Sequence, residues 1–277
     1  MAGIYQIYFR GLRTSLHNHP IIGIVYLFNF VISALIVWPV ITAFNDIIGG
    51  SGAGERLLEQ SDMSLLLQIV DQLGDRVSLL PLFISYLLIY CTVSFFMNGG
   101  VLFSYSGRNS FTAARFIRGG IDYYLRFLRL FLLSLAIIAV IFIFYSLFSA
   151  LIIFSFGLAF IPIMFIILIL WMGILLVLFD CTRIRVVLYN ERKIIRAFLT
   201  ILSLRFKHML AILYLSLLYA FPAFLLIGIH LLFADLYIMG ALIAFIYSQV
   251  VIVIKTYLRL SQLAGQMVYL EQTYKTE

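Results

Sequence analysis

The chain has 277 residues, of which 64% are hydrophobic and 11% charged, with a formal net charge of +7. A soluble domain carries about a quarter charged residues, so this set cannot cover a water-facing surface, and lipid must solvate part of it. A mean hydropathy of +1.11 argues against an ordinary soluble enzyme. The basic residues lie scattered between apolar runs, which fits membrane topology and anionic headgroups rather than nucleic acid.

A helix needs about 20 apolar residues to cross the hydrocarbon core. Arg10 and Arg13 precede the first such run, 21–44, which has no A-x-A cleavage site and reads as an uncleaved span. Pro20 sits at a tolerated helix start and Pro39 predicts a kink. Residues 45–78 open with Gly49-Gly50-Ser51-Gly52 and carry Asp46, Glu55, Glu59, Asp62, Asp71 and Asp75. Here Leu58, Leu65, Leu66, Ile69 and Leu73 recur at helical spacing, predicting an amphipathic outer helix over 55–75. The second span covers 79–103, and 104–129 is basic. From Leu130 to Phe179 no charge occurs, a stretch too long for one span and right for two, 130–154 and 158–179. The turn between them is expected near Ser155-Phe156-Gly157. A second basic segment, 180–207, leads to spans over 209–234 and 236–254, hinged at Asp235. The polar tail from Lys255 extends the last helix.

The expected fold is all-α: one polytopic bundle over 1–277, with six transmembrane helices as three hairpins. A basic amphipathic stretch introduces each hairpin: Phe9 to Arg13, Arg115 to Arg129, and Arg196 to Lys207. Any loop on the positive side of a membrane gives a similar pattern, so the threefold repeat stays open. Orientation follows from the Lys and Arg count. With the N-terminus inside, all of the 19 basic residues except Arg56 and Arg76 fall on inner segments. Both termini are therefore expected in the cytoplasm.

Three groups of side chains are candidates for function. Arg115, Arg118, Asp122, Arg126 and Arg129 share one face of a continuous helix. They form a stripe suited to lipid phosphates, with Asp122 expected to bridge Arg118 and Arg126. Gly119-Gly120 threatens that alignment by breaking the helix, and a plain topological anchor fits the same residues. Asp180 and Arg183 stand at i,i+3 where the fourth span is expected to leave the membrane. They form an interfacial ion pair that either orients Arg183 and Arg185 or merely lowers the cost of charge near lipid. Asn29, Asn98 and Gln249 are intramembrane polar contacts, expected as interhelical hydrogen-bond partners.

Catalytic chemistry finds little support. No G-x-S-x-G, H-E-x-x-H or Walker loop is present. His17 and His19 lack a third ligand, and Cys91 and Cys181 have neither disulfide nor metal spacing. No catalytic residue, metal or cofactor is expected. No acid or base stands near the middle of any predicted span, which weakens proton- or sodium-coupled transport.

Two stretches carry a resemblance. One is Phe96-Met97-Asn98-Gly99-Gly100-Val101-Leu102, with Phe111, Phe116 and Tyr123-Tyr124-Leu125-Arg126-Phe127-Leu128-Arg129-Leu130. The other is Asp180-Cys181-Thr182-Arg183-Ile184-Arg185, followed by Arg196. Together, across roughly residues 80–210, they resemble a group of uncharacterised bacterial six-helix integral membrane proteins. The layout also looks like the membrane domains beside some bacterial glycerophosphodiester phosphodiesterases. The resemblance implies a bacterial inner membrane and no particular activity.

The functional expectation is a non-catalytic membrane protein, a lipid-binding scaffold or accessory subunit. Its expected partners are anionic lipids and either a membrane-protein partner or a second copy in a homo-oligomer, with no nucleic acid. The alternatives are a permease for an apolar or amphipathic substrate without ion coupling, and a lipid-modifying enzyme.

Overall fold

A computed structural model describes residues 3–51, 79–107, 111–232 and 241–276. Those residues are helical almost throughout, with no strand among them. In chain order the helices are α1 (Ile4–His17), α2 (His19–Ser51), α3 (Leu79–Tyr105), α4 (Ala113–Phe156), α5 (Ile161–Leu188), α6 (Ile194–Leu202), α7 (Phe206–Leu232) and α8 (Ala241–Thr276). The expected outer helix over 55–75 and the Asp235 hinge lie outside the described residues.

Among the described residues five segments are long and apolar enough to cross a membrane: His19–Asp46, Phe83–Tyr105, Ala113–Ser155, Ile161–Leu188 and Phe206–His230. These lengths and their apolarity are those of helices that can span a membrane. The expected sixth span, 236–254, is described only from Ala241, where it forms the charge-free first part of α8. Helix α2 continues past the expected boundary at 44, through Asp46 to Ser51. It also runs through Pro39, where the Thr42 hydroxyl donates to the carbonyls of Trp38 (3.2 Å) and Pro39 (2.9 Å).

The chain packs as two units, residues 24–94 and residues 1–23 with 95–277. In the first, Phe28 of α2 stacks on Tyr90 of α3 at 6.0 Å between ring centres. The second holds most of the buried side chains, and in its apolar spans they lie mainly toward one end, as do Val101 and Leu102 in α3, Leu178 and Ile184 in α5, and Ile212 and Leu215 in α7. Along the middle of α4, large residues such as Phe144, Leu147, Leu151 and Phe154 are exposed, Phe154 by 93%. Such a surface is stable only in hydrocarbon. Others gather where the sequence is more polar, on α1 and on α8 beyond Leu258.

Small residues allow this packing. On α1, Ile7, Gly11 and Ser15 fall on one face and are buried. A Cβ on Gly11 would stand 2.7 Å from the Ser261 carbonyl oxygen and 2.9 Å from the Gly265 nitrogen, and would meet the Tyr219 hydroxyl as well. Gly11 therefore lets α1 lie almost backbone to backbone on α8. The Tyr219 hydroxyl of α7 closes the junction by donating to the Tyr8 carbonyl at 2.7 Å. A second close approach joins α3 to α4. A Cβ on Gly99 would lie 2.7 Å from the Gly119 carbonyl oxygen, and one on Gly100 would lie 2.8 Å from that of Phe116. Gly119-Gly120 therefore does not break the helix. It is the mate of Gly99-Gly100, and α4 is continuous over 44 residues. At 1.5 Å per residue such a helix is roughly 65 Å long, about twice the hydrocarbon thickness. Its basic first third must project beyond the apolar layer.

Turns lie where the sequence supplies the backbone for them. Gly157, at φ +84°, ends α4 in a conformation open to glycine. A 3-10 turn, Leu158–Phe160, then leads into α5, which carries Pro162 in its first turn. Helix α5 runs on through Asp180 to Leu188, past the expected end of the fourth span at 179. It closes with Asn190 in the left-handed region (φ +50°) and the Glu191 N–H donating to the Val186 carbonyl at 3.2 Å, a Schellman-type cap.

Candidate lipid-headgroup site

The stripe on α4 forms on one helix but its members have different surroundings. Arg118 and Asp122 are solvent-exposed and pair at 3.5 Å, one turn apart. Asp122 was expected to bridge Arg126 as well, but Arg126 faces the loop after α5. There its guanidinium donates to Asn190 Oδ1 at 2.7 Å and packs over the Tyr123 ring at 4.9 Å. Asn190, at the left-handed turn that ends α5, brings its side-chain oxygen within reach of Arg126. Arg115 lies over the Phe103 ring at 5.2 Å and fills the space beside Gly107. Arg129 is exposed.

Asp180 lies inside the protein, its side chain only 3% exposed. It pairs with Arg183 at 3.3 Å, as the i,i+3 spacing predicts, and with Arg259 of α8 at 2.6 Å. The two arginines leave this triad with a net positive charge and clamp α8 to α5. Arg185 turns elsewhere: it pairs with Glu191 at 3.0 Å and lies between the rings of Tyr189 and Tyr274. Nearby, the amide of Gln266, fully buried on α8, donates to the Ser216 hydroxyl of α7 at 2.9 Å. His208 of α7 and Tyr269 of α8 meet at 2.9 Å, and burial pushes the Tyr269 phenol up from its ordinary value, so it stays neutral at any physiological pH.

Two large clefts open on this basic region. One, about 830 Å³, lies between α1 and α8 and is lined by Arg10, Arg13 and His17 on one wall and Glu271 on the other. The second, about 980 Å³, lies between α4 and α6. Arg129, Arg192, Lys193 and Arg196 line it together with Leu133 and Leu199. Helix α6 has two apolar faces: Ile194, Ala197 and Ile201 are buried against the protein, whereas Ile195, Leu199 and Leu202 are exposed. A nine-residue helix of this kind fits an interface with hydrocarbon on one side and protein on the other.

The chain matches no family model, no curated protein and no solved structure. Chemistry must therefore be read from the side chains themselves. Among the described residues no three His, Cys, Asp or Glu converge as metal ligands. Asn29, Asn98 and Gln249 are each half-buried, and none of them enters the walls of the clefts described above. Cys181 is buried and Cys91 half-buried, both free thiols.

The sequence reading missed Arg259 as the second partner of Asp180, because 79 residues separate them and nothing local signals the pairing. It also missed the core formed by the polar tail. A signal was present there: Ser261, Ala264 and Gly265 place small residues on one helix face, the pattern that brings helices close.

Proposed function

We propose that this protein is a non-catalytic integral membrane protein of six spans that holds anionic lipid on the cytoplasmic side of a bacterial inner membrane. It serves there as a scaffold or accessory subunit for a membrane-protein partner or a second copy. The observation that carries this reading is the division along its helices: exposed, nearly charge-free middles continue directly into a densely packed end whose exposed face is basic. Such an end suits the headgroup layer, where each nearby Lys or Arg gains about 1 kcal/mol from an anionic surface. Buried carboxylates and histidines there are engaged with one another's helices, as Asp180 and His208 are, which suits a structural part better than a catalytic one. A permease would need a polar path, and the two large clefts are not lined by the polar residues of the spans.

Two experiments test this. Protein extracted in mild detergent and weighed intact by native mass spectrometry should carry anionic phospholipid in preference to zwitterionic lipid, and salt should strip it. Retention without regard to headgroup charge refutes the lipid-holding role. In a variant lacking Cys91 and Cys181, a cysteine introduced at Ser61 should react with an impermeant thiol reagent from outside, and one at Thr276 should not. The reverse pattern refutes the orientation.

A further inference from the structure

We propose that the groove between α4 and α6 is a discrete site for one anionic phospholipid. Arg129, Arg192, Lys193 and Arg196 hold its phosphate, and its acyl chains lie along Leu133, Ile195 and Leu199. This deepens the lipid-holding reading above and rests on it.

Charge is the first ground. Arg118, Arg183, Arg185 and Arg259 each have a carboxylate partner. The four cations of the groove have none within ion-pair distance among the described residues. Four like charges around one cavity of about 980 Å³ repel one another, and an anion seated among them removes that repulsion. The backbone adds to the attraction. Helix α6 begins at Ile194, beside these residues, and no side chain caps its N-terminus. Its first N–H groups are therefore available to phosphate oxygens.

Apolar surface is the second ground, and it selects the kind of anion. The walls include Leu133, the fourth residue of the charge-free run on α4, and Leu199 on the outward stripe of α6. Ile195 and Leu199 are 65% and 55% exposed. A soluble phosphate compound would leave this stripe wet, whereas a phospholipid covers cations and stripe at once. The headgroup is further narrowed by two hydroxyls. Thr200 donates to the Arg196 carbonyl at 2.8 Å and Ser203 to the Thr200 carbonyl at 3.1 Å. Both residues line the groove and keep acceptor capacity, which suits a headgroup bearing hydroxyl donors, such as glycerol.

The test titrates the intact protein in detergent with phosphatidylglycerol or phosphatidylcholine of the same chains and reads occupancy by native mass spectrometry. Wild type should bind one phosphatidylglycerol tightly and phosphatidylcholine far less. Each cation contributes a factor of about five near an anionic surface, so joint Arg129→Gln and Arg196→Gln should weaken binding by roughly 30-fold. Lys255→Gln, exposed on α8 and outside the groove, should leave it unchanged. Leu199→Glu places a carboxylate on an exposed position among the four cations and should also weaken binding, without asking the core to repack. Phosphatidylglycerol held equally by the Arg129/Arg196 and Leu199 variants overturns the groove site while leaving the general lipid reading intact. Failure of wild type to select phosphatidylglycerol overturns both. Displacement of the lipid by glycerol 3-phosphate or inorganic phosphate assigns the cations to a soluble ligand and overturns the phospholipid.

Discussion

The Asp180 triad allows the energy of one contact to be worked from its geometry. Asp180→Asn removes the buried negative charge and leaves Arg183 and Arg259 facing each other. Breaking a buried pair by removing one partner costs about 3–5 kcal/mol when the survivor is fully enclosed. Here the survivors are arginines with side chains 26% and 47% exposed, so water screens part of the loss. About 2–3 kcal/mol is expected. Arg259→Gln leaves the carboxylate paired with Arg183 at 3.3 Å and should cost about 1–2 kcal/mol. Because the 2.6 Å contact is shared, the two changes should not add, and their coupling should be about 1–2 kcal/mol. Equilibrium unfolding in mixed micelles, followed by near-ultraviolet circular dichroism, measures all four corners of this cycle. The exposed Arg118–Asp122 pair is the internal control, with a coupling of no more than about 0.5 kcal/mol. If the Asp180–Arg259 coupling does not exceed that of the control, the triad does not clamp α8, and the reasoning from burial is wrong.

Three further outcomes follow from the close approaches. Gly11→Ala should lower stability by about 1–3 kcal/mol, since its Cβ would press on the Ser261 and Gly265 backbone; Gly23→Ala, with open space around it, should be neutral or slightly stabilising in the same unfolding assay. Gly119→Ala should behave like Gly11→Ala because its Cβ would lie 2.9 Å from the Gly99 carbonyl oxygen and meet the Phe103 side chain, whereas Gly173→Ala has nothing within 4 Å and should not. Removing the chain after Ile254 should leave the spans inserted but make Arg10 and Arg13 of α1 susceptible to trypsin; an unchanged digestion pattern would show that α1 does not depend on α8.

What could be read in the sequence is what depends on neighbours along the chain. The charge-free run from Leu130 to Phe179 had to contain a turn, and glycine at 157 supplies the positive φ that makes one. The i,i+3 pairing of Asp180 with Arg183 is local in the same way. Features set by distant residues could not be read. Gly119-Gly120 signals a break when seen alone, and becomes a packing surface only when Gly99-Gly100 lies across it. Arg126 has Asp122 four residues away, but takes the Asn190 acceptor that the end of α5 presents to it. The amphipathic pattern of α6 marks it as a surface helix. Only the fold shows that the cations of its N-terminal end surround a cleft with Arg129 of α4.

The burial pattern has a physical cause that bears on function. Within hydrocarbon, apolar side chains gain nothing from leaving lipid for one another, so long spans need little mutual burial. Where the helices leave the apolar layer, water returns and the hydrophobic effect with it. Side chains such as Ile7, Ile201 and Leu270 then gain by enclosure, and all three are buried. A core placed at that level also brings charges close to apolar surface, and they must be paired or exposed to anions. Asp180, Arg183 and Arg259 satisfy the first condition. Arg129, Arg192, Lys193 and Arg196 have no such pair among the described residues, and they line an open groove beside the exposed apolar stripe of α6. Packing alone gives no reason to gather four unpaired cations there, since separating them would lower their repulsion at no cost to the buried residues of α6. A negatively charged lipid gives that reason.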